Sequence, residues 1–180
     1  SHLLREIAGN TSQYLARIRY SGIASVSFIY RRDDVLHPLD AYGVVVPSSI
    51  GMNLDGVQFS SSKWTHRAPQ DIAVIRAFFG GPQTRHMLNH DDESATAIVQ
   101  QELAQMLNIT GDPLDSRVLR WEQGYPQYDV GHLNLVANIE ASLPENVYVA
   151  GNAYKGVGLP DTVHFSQQII EQILASDSQL

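Results

Sequence analysis

The chain has 180 residues and a mass of 19.9 kDa, enough for one ordinary domain or parts of two. With 12 Lys+Arg against 19 Asp+Glu it carries a formal charge of −7, and no basic cluster is available to bind a nucleic-acid backbone. There are no cysteines, which excludes disulfides, thiolate metal sites and a cysteine nucleophile. The hydrophobic fraction of 43% is enough for a buried core, while no apolar run approaches the length of a membrane span.

The first half of the chain is dominated by strand patterns. Residues 3–7 predict the end of a helix that Gly9-Asn10 would cap, and residues 14–20 predict an extended segment. From 24 to 30, apolar and polar side chains alternate with the period of two that indicates a strand with one buried face. Further strands are predicted at 42–46, 57–60 and 71–79.

The second half changes to helical spacing. Residues 92–107 predict a helix whose acidic first turn suits the positive end of the helix dipole. Two more helices are predicted at 131–143 and 160–174, and two strands at 117–121 and 146–150. The order predicts a mixed α+β fold, with an antiparallel-rich sheet followed by an αβα unit from about residue 126.

The histidines do not form a recognised catalytic or metal pattern. His86 and His90 are four residues apart, but they precede a helix start, so we interpret them as part of a solvated loop and predict no metal site. No GxSxG segment supports a serine nucleophile.

Residues 146–174 carry the most informative pattern. A predicted strand meets Gly151, a loop with Gly156 and Gly158 follows, and a helix is predicted to begin at Pro160. Glycines without a Cβ atom let a backbone approach a ligand closely, and a helix start favours an electron-rich group. The alternative is a glycine-rich connection between strand and helix. A GxGxxG dinucleotide fingerprint is absent. The only GxG pair is Gly156 and Gly158, and position 161, where the third glycine would stand, is Asp.

The stretch YVAGNAYKGVGLPDTV resembles the C-terminal flavin motif of the protoporphyrinogen oxidase family, FAD enzymes of haem and chlorophyll biosynthesis that include bacterial coproporphyrinogen oxidases. Three more segments match in the same order: YGVVVPS at 42–48, FSSSKWTHRAP at 59–69 followed by FFGG at 78–81, and YPQYDVGHL at 125–133. The resemblance extends over about residues 14–175.

The resemblance implies that residues 1–125 are part of a substrate-binding domain and residues 126–180 the C-terminal part of a discontinuous, Rossmann-like FAD-binding domain. Because Ser1 is not a methionine, we expect the chain to begin inside a longer protein. The GxGxxG unit and a membrane-associated helical domain would then precede it. The isolated 180 residues would bind no FAD and would be inactive.

The resemblance also implies roles for individual residues. The expected flavin-binding residues are Trp121, Gly151, Gly156, Val157, Gly158, Leu159 and Asp161. Val45 and Phe78 match apolar positions that enclose the substrate ring. The alternatives are a half-buried strand tryptophan for Trp121 and ordinary strand core for Val45 and Phe78. A side chain at Gly158 would intrude on the flavin or force an unfavourable backbone angle. No catalytic acid or base is assigned.

The activity implied is oxidation of protoporphyrinogen or coproporphyrinogen to the porphyrin by FAD, with O2 reoxidising the flavin. The alternatives are another FAD amine-oxidase-type oxidoreductase, such as a desaturase-like enzyme, or a binding module without catalysis. We expect a cytoplasmic protein, peripheral to a membrane through a domain upstream, and a homo-oligomer that covers exposed apolar surface.

Overall fold

The computed structural model describes residues 8–177 and contains one sheet with helices before, within and after it. The strands are β1 (Arg19–Arg31), β2 (Gly43–Val45), β3 (Gly56–Phe59), β4 (Ile72–Phe79) and β5 (Asp115–Gln127). The α-helices are α1 (Gly9–Leu15), α2 (Ser60–Lys63), α3 (Asp92–Leu107), α4 (His132–Ser142) and α5 (Leu159–Asp177). Short 3₁₀ turns lie at Arg32–Asp34, Ser48–Ile50 and Arg85–Asn89.

The five strands form one sheet in the order β2-β3-β4-β1-β5. The β1–β4, β2–β3 and β3–β4 pairs are antiparallel. The predicted mixed fold with an antiparallel-rich sheet is therefore confirmed, and the strands predicted at 24–30, 42–46, 57–60 and 71–79 each coincide with one strand of it.

The core lies on one face of this sheet, against α3. Side chains of β4 alternate strictly between half-buried and buried positions, as the period of two requires. The buried set of β1, β3 and β4 joins four inward residues of α3 in a single cluster: Ala95, Val99, Leu103 and Leu107. The helix predicted at 92–107 is confirmed at both ends, and the Asp91 carboxylate caps it by accepting a hydrogen bond from the Ser94 amide at 2.7 Å.

The chain divides into two compact units. One comprises residues 21–124 and contains most of the sheet with α3. The other joins residues 8–20 to 125–177, so that α1 belongs with α4 and α5. In this second unit the Thr11 hydroxyl donates a hydrogen bond to the Ser142 carbonyl oxygen, at 2.5 Å.

The N-terminal expectation was wrong where it can be compared. Gly9-Asn10 does not cap a helix but begins α1, which runs to Leu15, and only the end of the segment 14–20 is extended. Hydrogen bonds from Ser12 N to Ala8 O and from Ala16 N to Ser12 O hold this turn. The helix end predicted at 3–7 lies outside the described residues.

The strand predicted at 146–150 was also wrong. These residues form no strand, because no strand within residues 8–177 pairs with them. The predicted αβα unit is thus two helices, α4 and α5, joined by an irregular segment. Helix α4 was predicted within one residue of its observed bounds, whereas α5 begins one residue earlier and extends three residues further than predicted.

Candidate functional site

The loop before α5 is shaped by close contact between Gly156 and Asp161. Gly156 has a φ of +77°, and a Cβ atom there would lie 2.3 Å from the Cβ of Asp161. Gly158 has no left-handed backbone angle, and a Cβ atom there would lie 2.9 Å from the Oδ2 of Asp161, with its other neighbours at the ordinary contact distance of 3.8 Å. The unfavourable backbone angle expected at 158 therefore lies at 156 instead.

The start of α5 presents polar backbone beside apolar side chains. The first helical hydrogen bond runs from Thr162 N to Gly158 O, at 2.9 Å. The amides of Leu159 and Asp161 lie in the first turn, and neither has an acceptor within residues 8–177, while Pro160 has no amide hydrogen. Val157 and Leu159 are 54% and 82% exposed. An electron-rich group with an apolar ring can therefore contact both features at once.

Two side chains of the segment YPQYDVGHL bind the loop that precedes α5, residues 151–158. The Tyr128 hydroxyl donates to the Asn152 carbonyl oxygen at 2.8 Å, and the Nε2 of His132 lies 3.0 Å from the Tyr154 carbonyl oxygen. The rings of Tyr128 and His132 stack with centroids 3.8 Å apart. Partial burial raises the pKa of Tyr128, and the charge of Asp161 raises it further, so the phenol keeps its donor hydrogen.

A third residue of the same segment, Asp129, pairs with Arg19, the first residue of β1. The Arg19 guanidinium donates to both carboxylate oxygens of Asp129, with the Nε at 2.7 Å. This hydrogen bond holds the pKa of Asp129 below its usual range. The segment was singled out by resemblance alone; Tyr128 and His132 bind carbonyl oxygens of the loop 151–158, whereas Asp129 binds Arg19 at the start of β1.

Val45 and Phe78, the residues expected to enclose the substrate, share one face of the sheet. Val45 pairs with Gly56, and Gly56 pairs with Phe78, so the three form one row across β2, β3 and β4. Directly paired residues point to the same side. Val45 is 84% exposed and Phe78 half-buried, and neither belongs to the core on the α3 side. The glycine between them leaves a shallow gap in an apolar row.

Two other expected flavin residues lie in different surroundings. Trp121 is on β5 with a 46% exposed side chain. Gly151 has a φ of +133°, and a Cβ atom there would meet no other atom within 4 Å, so only its backbone angle requires glycine.

A cavity of about 550 Å³ on the face opposite α3 was missed by sequence reasoning. Its cationic lining residues are Arg67, Arg76 and Arg117, together with the aromatic Trp64. The period of two in β4 already places Arg76 on the same face as Phe78, and that signal could have identified it.

The FFGG segment ends β4 in a turn held by Asp55. The Asp55 carboxylate accepts hydrogen bonds from the Gly81 amide and the Thr84 hydroxyl, both at 2.8 Å. Thr84 in turn accepts a hydrogen bond from the Gly80 amide. The turn thus fixes the end of the strand that carries Phe78.

The histidine pair shows no ligand geometry. The Nε2 of His86 lies 2.9 Å from the Oδ1 of Asn53. Within residues 8–177 no group of three or more histidines and carboxylates lies close enough to hold a metal ion. In the same part of the chain, no helix has the length and apolar character to cross a membrane.

Comparison with curated proteins finds relatives that are named as porphyrinogen oxidases. The chain is 34% identical over 175 residues to the coproporphyrinogen III oxidase of Mycobacterium leprae, covering 96% of this chain and 38% of that protein. It is 29% identical to the mitochondrial protoporphyrinogen oxidase of Nicotiana tabacum, covering 81% of this chain and 30% of that protein. The chain therefore spans about a third of the length of the curated relatives it matches.

The structure has a similar counterpart among solved structures. A crystal structure from Exiguobacterium sp. 255-15, provisionally named a protoporphyrinogen oxidase, superposes with a TM-score of 0.79 and 29% identity. The superposition covers 96% of this chain and 38% of the chain in that crystal structure. The resemblance found in the sequence is thus confirmed, and with it FAD as the cofactor of these relatives. Residues 9–165 match the family described as "Flavin containing amine oxidoreductase", and the chain belongs to that family.

Proposed function

We propose that the chain is the C-terminal part of an FAD-dependent oxidase that converts a porphyrinogen into the porphyrin. The observation that carries the proposal is the start of α5, where Val157 and Leu159 are exposed beside two helix amides that have no acceptor among the described residues. The names of the relatives, coproporphyrinogen III oxidase and protoporphyrinogen oxidase, support the substrate class.

The residues at this loop fit the ring of a flavin better than its pyrophosphate. Asp161 already places a carboxylate at the start of α5. A phosphate at the same position would be repelled by that charge. A neutral carbonyl edge of the isoalloxazine would accept from the amides of Leu159 and Asp161 while its ring contacts Val157. Gly151, Gly156 and Gly158 would let the backbone approach the ring.

In this proposal the two units have different tasks. The unit of residues 21–124 is the substrate-binding part, and the unit of residues 8–20 with 125–177 is part of a discontinuous FAD-binding domain. Trp121 is the aromatic residue next to the flavin. The row Val45–Gly56–Phe78 supports this assignment, because an apolar macrocycle needs an exposed apolar wall.

Bound FAD would supply a two-electron acceptor for hydride, O2 would reoxidise it and be reduced to hydrogen peroxide, and three such cycles would give the porphyrin. The protein residues hold and orient the macrocycle on Val45 and Phe78. They also keep the loop 151–158 in place through Tyr128 and His132.

The predicted homo-oligomer and the peripheral cytoplasmic location remain proposals. Four exposed apolar residues on α5 support association with a further protein surface: Leu159, Val163, Ile170 and Leu174. Light scattering of the purified full-length protein tests the oligomer, and a monomer at high concentration would contradict it.

Anaerobic mixing of the full-length protein with coproporphyrinogen tests the function. Conversion to the porphyrin removes six electrons and each flavin accepts two, so the flavoprotein is used in at least threefold excess over the porphyrinogen. We expect the visible absorbance of the bound flavin to bleach while porphyrin absorbance appears, and admission of O2 to restore the flavin. A protein that carries no flavin, or whose flavin stays oxidised with either porphyrinogen, would contradict the proposal.

A further inference from the structure

The cationic cavity on the face opposite α3 has no role in the proposal so far. It has a volume of about 550 Å³ and is lined by β1, β3, β4, the start of β5 and the segment after α2. Three of the 12 basic residues of a chain with net charge −7 line it, against one acidic residue, Asp115. The cavity is therefore positive on an otherwise acidic protein, and anions would accumulate there.

Arg76 is the central cation of this lining and is held in place by its neighbours. It pairs with Ser27 on one side and Gln58 on the other, so the three form a polar row across β1, β4 and β3. The Nε of Arg76 donates to the Ser27 hydroxyl at 2.9 Å. Its two terminal nitrogens have no acceptor among the described residues, and they form the paired donor edge that binds a carboxylate.

The other two arginines are likewise available for a ligand. Arg67 lies over the ring of Trp64, with its guanidinium carbon 5.2 Å from the ring centroid. Neither Arg67 nor Arg117 is in any of the salt bridges found within residues 8–177. Within residues 8–177, therefore, none of the three arginines is neutralised by a salt bridge, and each can pair with a carboxylate of a ligand.

The polar row lies next to the apolar row on the same sheet face. Arg76 and Phe78 are two residues apart on β4, which separates them by about 7 Å along the strand. Gln58 and Gly56 have the same relationship on β3. A ligand whose ring contacts Phe78 and Val45 can therefore extend a short carboxylate side chain to Arg76.

We infer that this cavity binds the peripheral carboxylates of the substrate and that Arg76 is a specificity-determining residue for the carboxylate-rich porphyrinogen. The inference rests on the proposed function. Coproporphyrinogen carries a propionate on every pyrrole ring, whereas protoporphyrinogen carries one on only half of its rings. A cavity with three guanidinium groups that form no salt bridge within residues 8–177, beside the ring-binding row, favours the substrate with more carboxylates.

The test compares Arg76→Gln with Arg85→Gln in the full-length protein. Arg85 is an exposed arginine of the same unit that does not line the cavity. Binding of the products coproporphyrin and protoporphyrin is titrated by fluorescence, and KM is measured for the two porphyrinogens. Arg76→Lys keeps the charge but not the paired donor edge. Flavin content and thermal unfolding establish that each variant is folded.

We expect Arg76→Gln to weaken coproporphyrin binding about tenfold, in line with loss of a charged hydrogen-bonding pair, and to affect protoporphyrin less. Arg76→Lys should fall between the wild type and Arg76→Gln, and Arg85→Gln should match the wild type. Equal effects on both porphyrins, or none, would overturn the inference while leaving the proposed function intact. A wild type that oxidises neither porphyrinogen would contradict the proposed function, and the inference would fall with it. If Arg76→Gln does not fold, the same comparison with Arg117→Gln decides, and an unchanged preference there overturns the inference.

Discussion

The ring of Tyr128 stacks on the imidazole of His132, with planes inclined by only 13°, and each residue also bonds a backbone carbonyl of the loop before α5. The stack joins the end of β5 to the start of α4 and holds both residues against residues 152 and 154. The loop expected to contact the flavin is thus positioned by side chains that lie more than 20 residues earlier in the chain.

Removing this support should loosen the loop in two unequal steps. Tyr128→Phe loses one partly exposed hydrogen bond but keeps the stack, so we expect a cost of about 1 kcal/mol or less in the free energy of unfolding. His132→Ala loses the stack and leaves the Tyr154 carbonyl without its partner, which we expect to cost about 2 kcal/mol. Urea unfolding measures both changes, and hydrogen exchange of residues 151–158 should rise in the same order. A larger effect of Tyr128→Phe would contradict this account of the loop.

Gly156 should be the least replaceable glycine of the loop. Gly156→Ala places a Cβ atom against the Cβ of Asp161, and it adopts a left-handed angle that L-residues disfavour. Gly131→Ala, in the same unit, is the matched control, because φ there is +87° but no other atom lies within 4 Å of the new Cβ.

We expect Gly131→Ala to cost about 1 kcal/mol for its backbone angle alone, and Gly156→Ala to cost at least about 1 kcal/mol more. Flavin content of the full-length protein should fall for Gly156→Ala and stay constant for Gly131→Ala. Equal unfolding energies for the two variants would show that Asp161 does not restrict position 156.

Asp55 should be required for the turn that ends β4. Asp55→Ala removes the acceptor of the Gly81 amide and the Thr84 hydroxyl, two donors in a partly buried turn. We expect a loss of about 2–3 kcal/mol in unfolding free energy. Asp71→Ala, an exposed carboxylate at the other end of β4, is the control and should stay within about 0.5 kcal/mol of the wild type. Thermal and urea unfolding provide the comparison.

The alkaline stability of the protein should depend on Tyr30. Its hydroxyl is buried and has no hydrogen-bond partner among residues 8–177, and burial, followed by the charge of Asp112, raises its pKa to about 12. The unfolded chain loses this proton near pH 10, before the folded chain does. This contribution to stability is therefore complete below pH 10 and is lost as the pH rises from 10 to about 12.

Tyr30→Phe should remove that dependence. Urea unfolding at pH 8 and pH 11 should show a smaller loss of stability for Tyr30→Phe than for the wild type, by up to about 1–2 kcal/mol. At pH 8 the variant should be as stable as the wild type or more stable, because it also removes an unpaired buried hydroxyl. Identical alkaline losses in the two proteins would contradict this.

Period and composition predicted the regular parts of the fold because those parts are determined locally. The alternation along 24–30 and the acidic cap before Asp92 both reflect contacts of neighbouring residues. The composition of residues 146–150 predicted a strand. A strand forms only when a neighbouring strand makes hydrogen bonds with its backbone, and no strand within the described residues does so here. Gly9 was predicted to end a helix because the residues before it have a helical pattern, whereas the helix that forms, α1, begins at Gly9.

The candidate site, like the fold, was predictable from the sequence only in part. Resemblance identified the glycine loop, Val45 and Phe78, but it could not say that Gly156 rather than Gly158 carries the backbone constraint. The cavity around Arg76 arises from pairing of β1, β3 and β4, whose partners lie far apart in the chain. The period of two places Arg76 on the same face as Phe78, but only the register of the sheet brings Ser27 and Gln58 beside that arginine.

The central claim is that this chain belongs to an enzyme that oxidises porphyrinogens with FAD. The most direct measurement is the aerobic rate at which the purified full-length protein, with FAD bound, forms fluorescent porphyrin from coproporphyrinogen, compared with its rate of hydrogen peroxide release from a simple primary amine. We predict porphyrin formation well above the spontaneous rate and no oxidation of the amine. Oxidation of the amine with porphyrin formation no faster than the spontaneous rate would contradict the account.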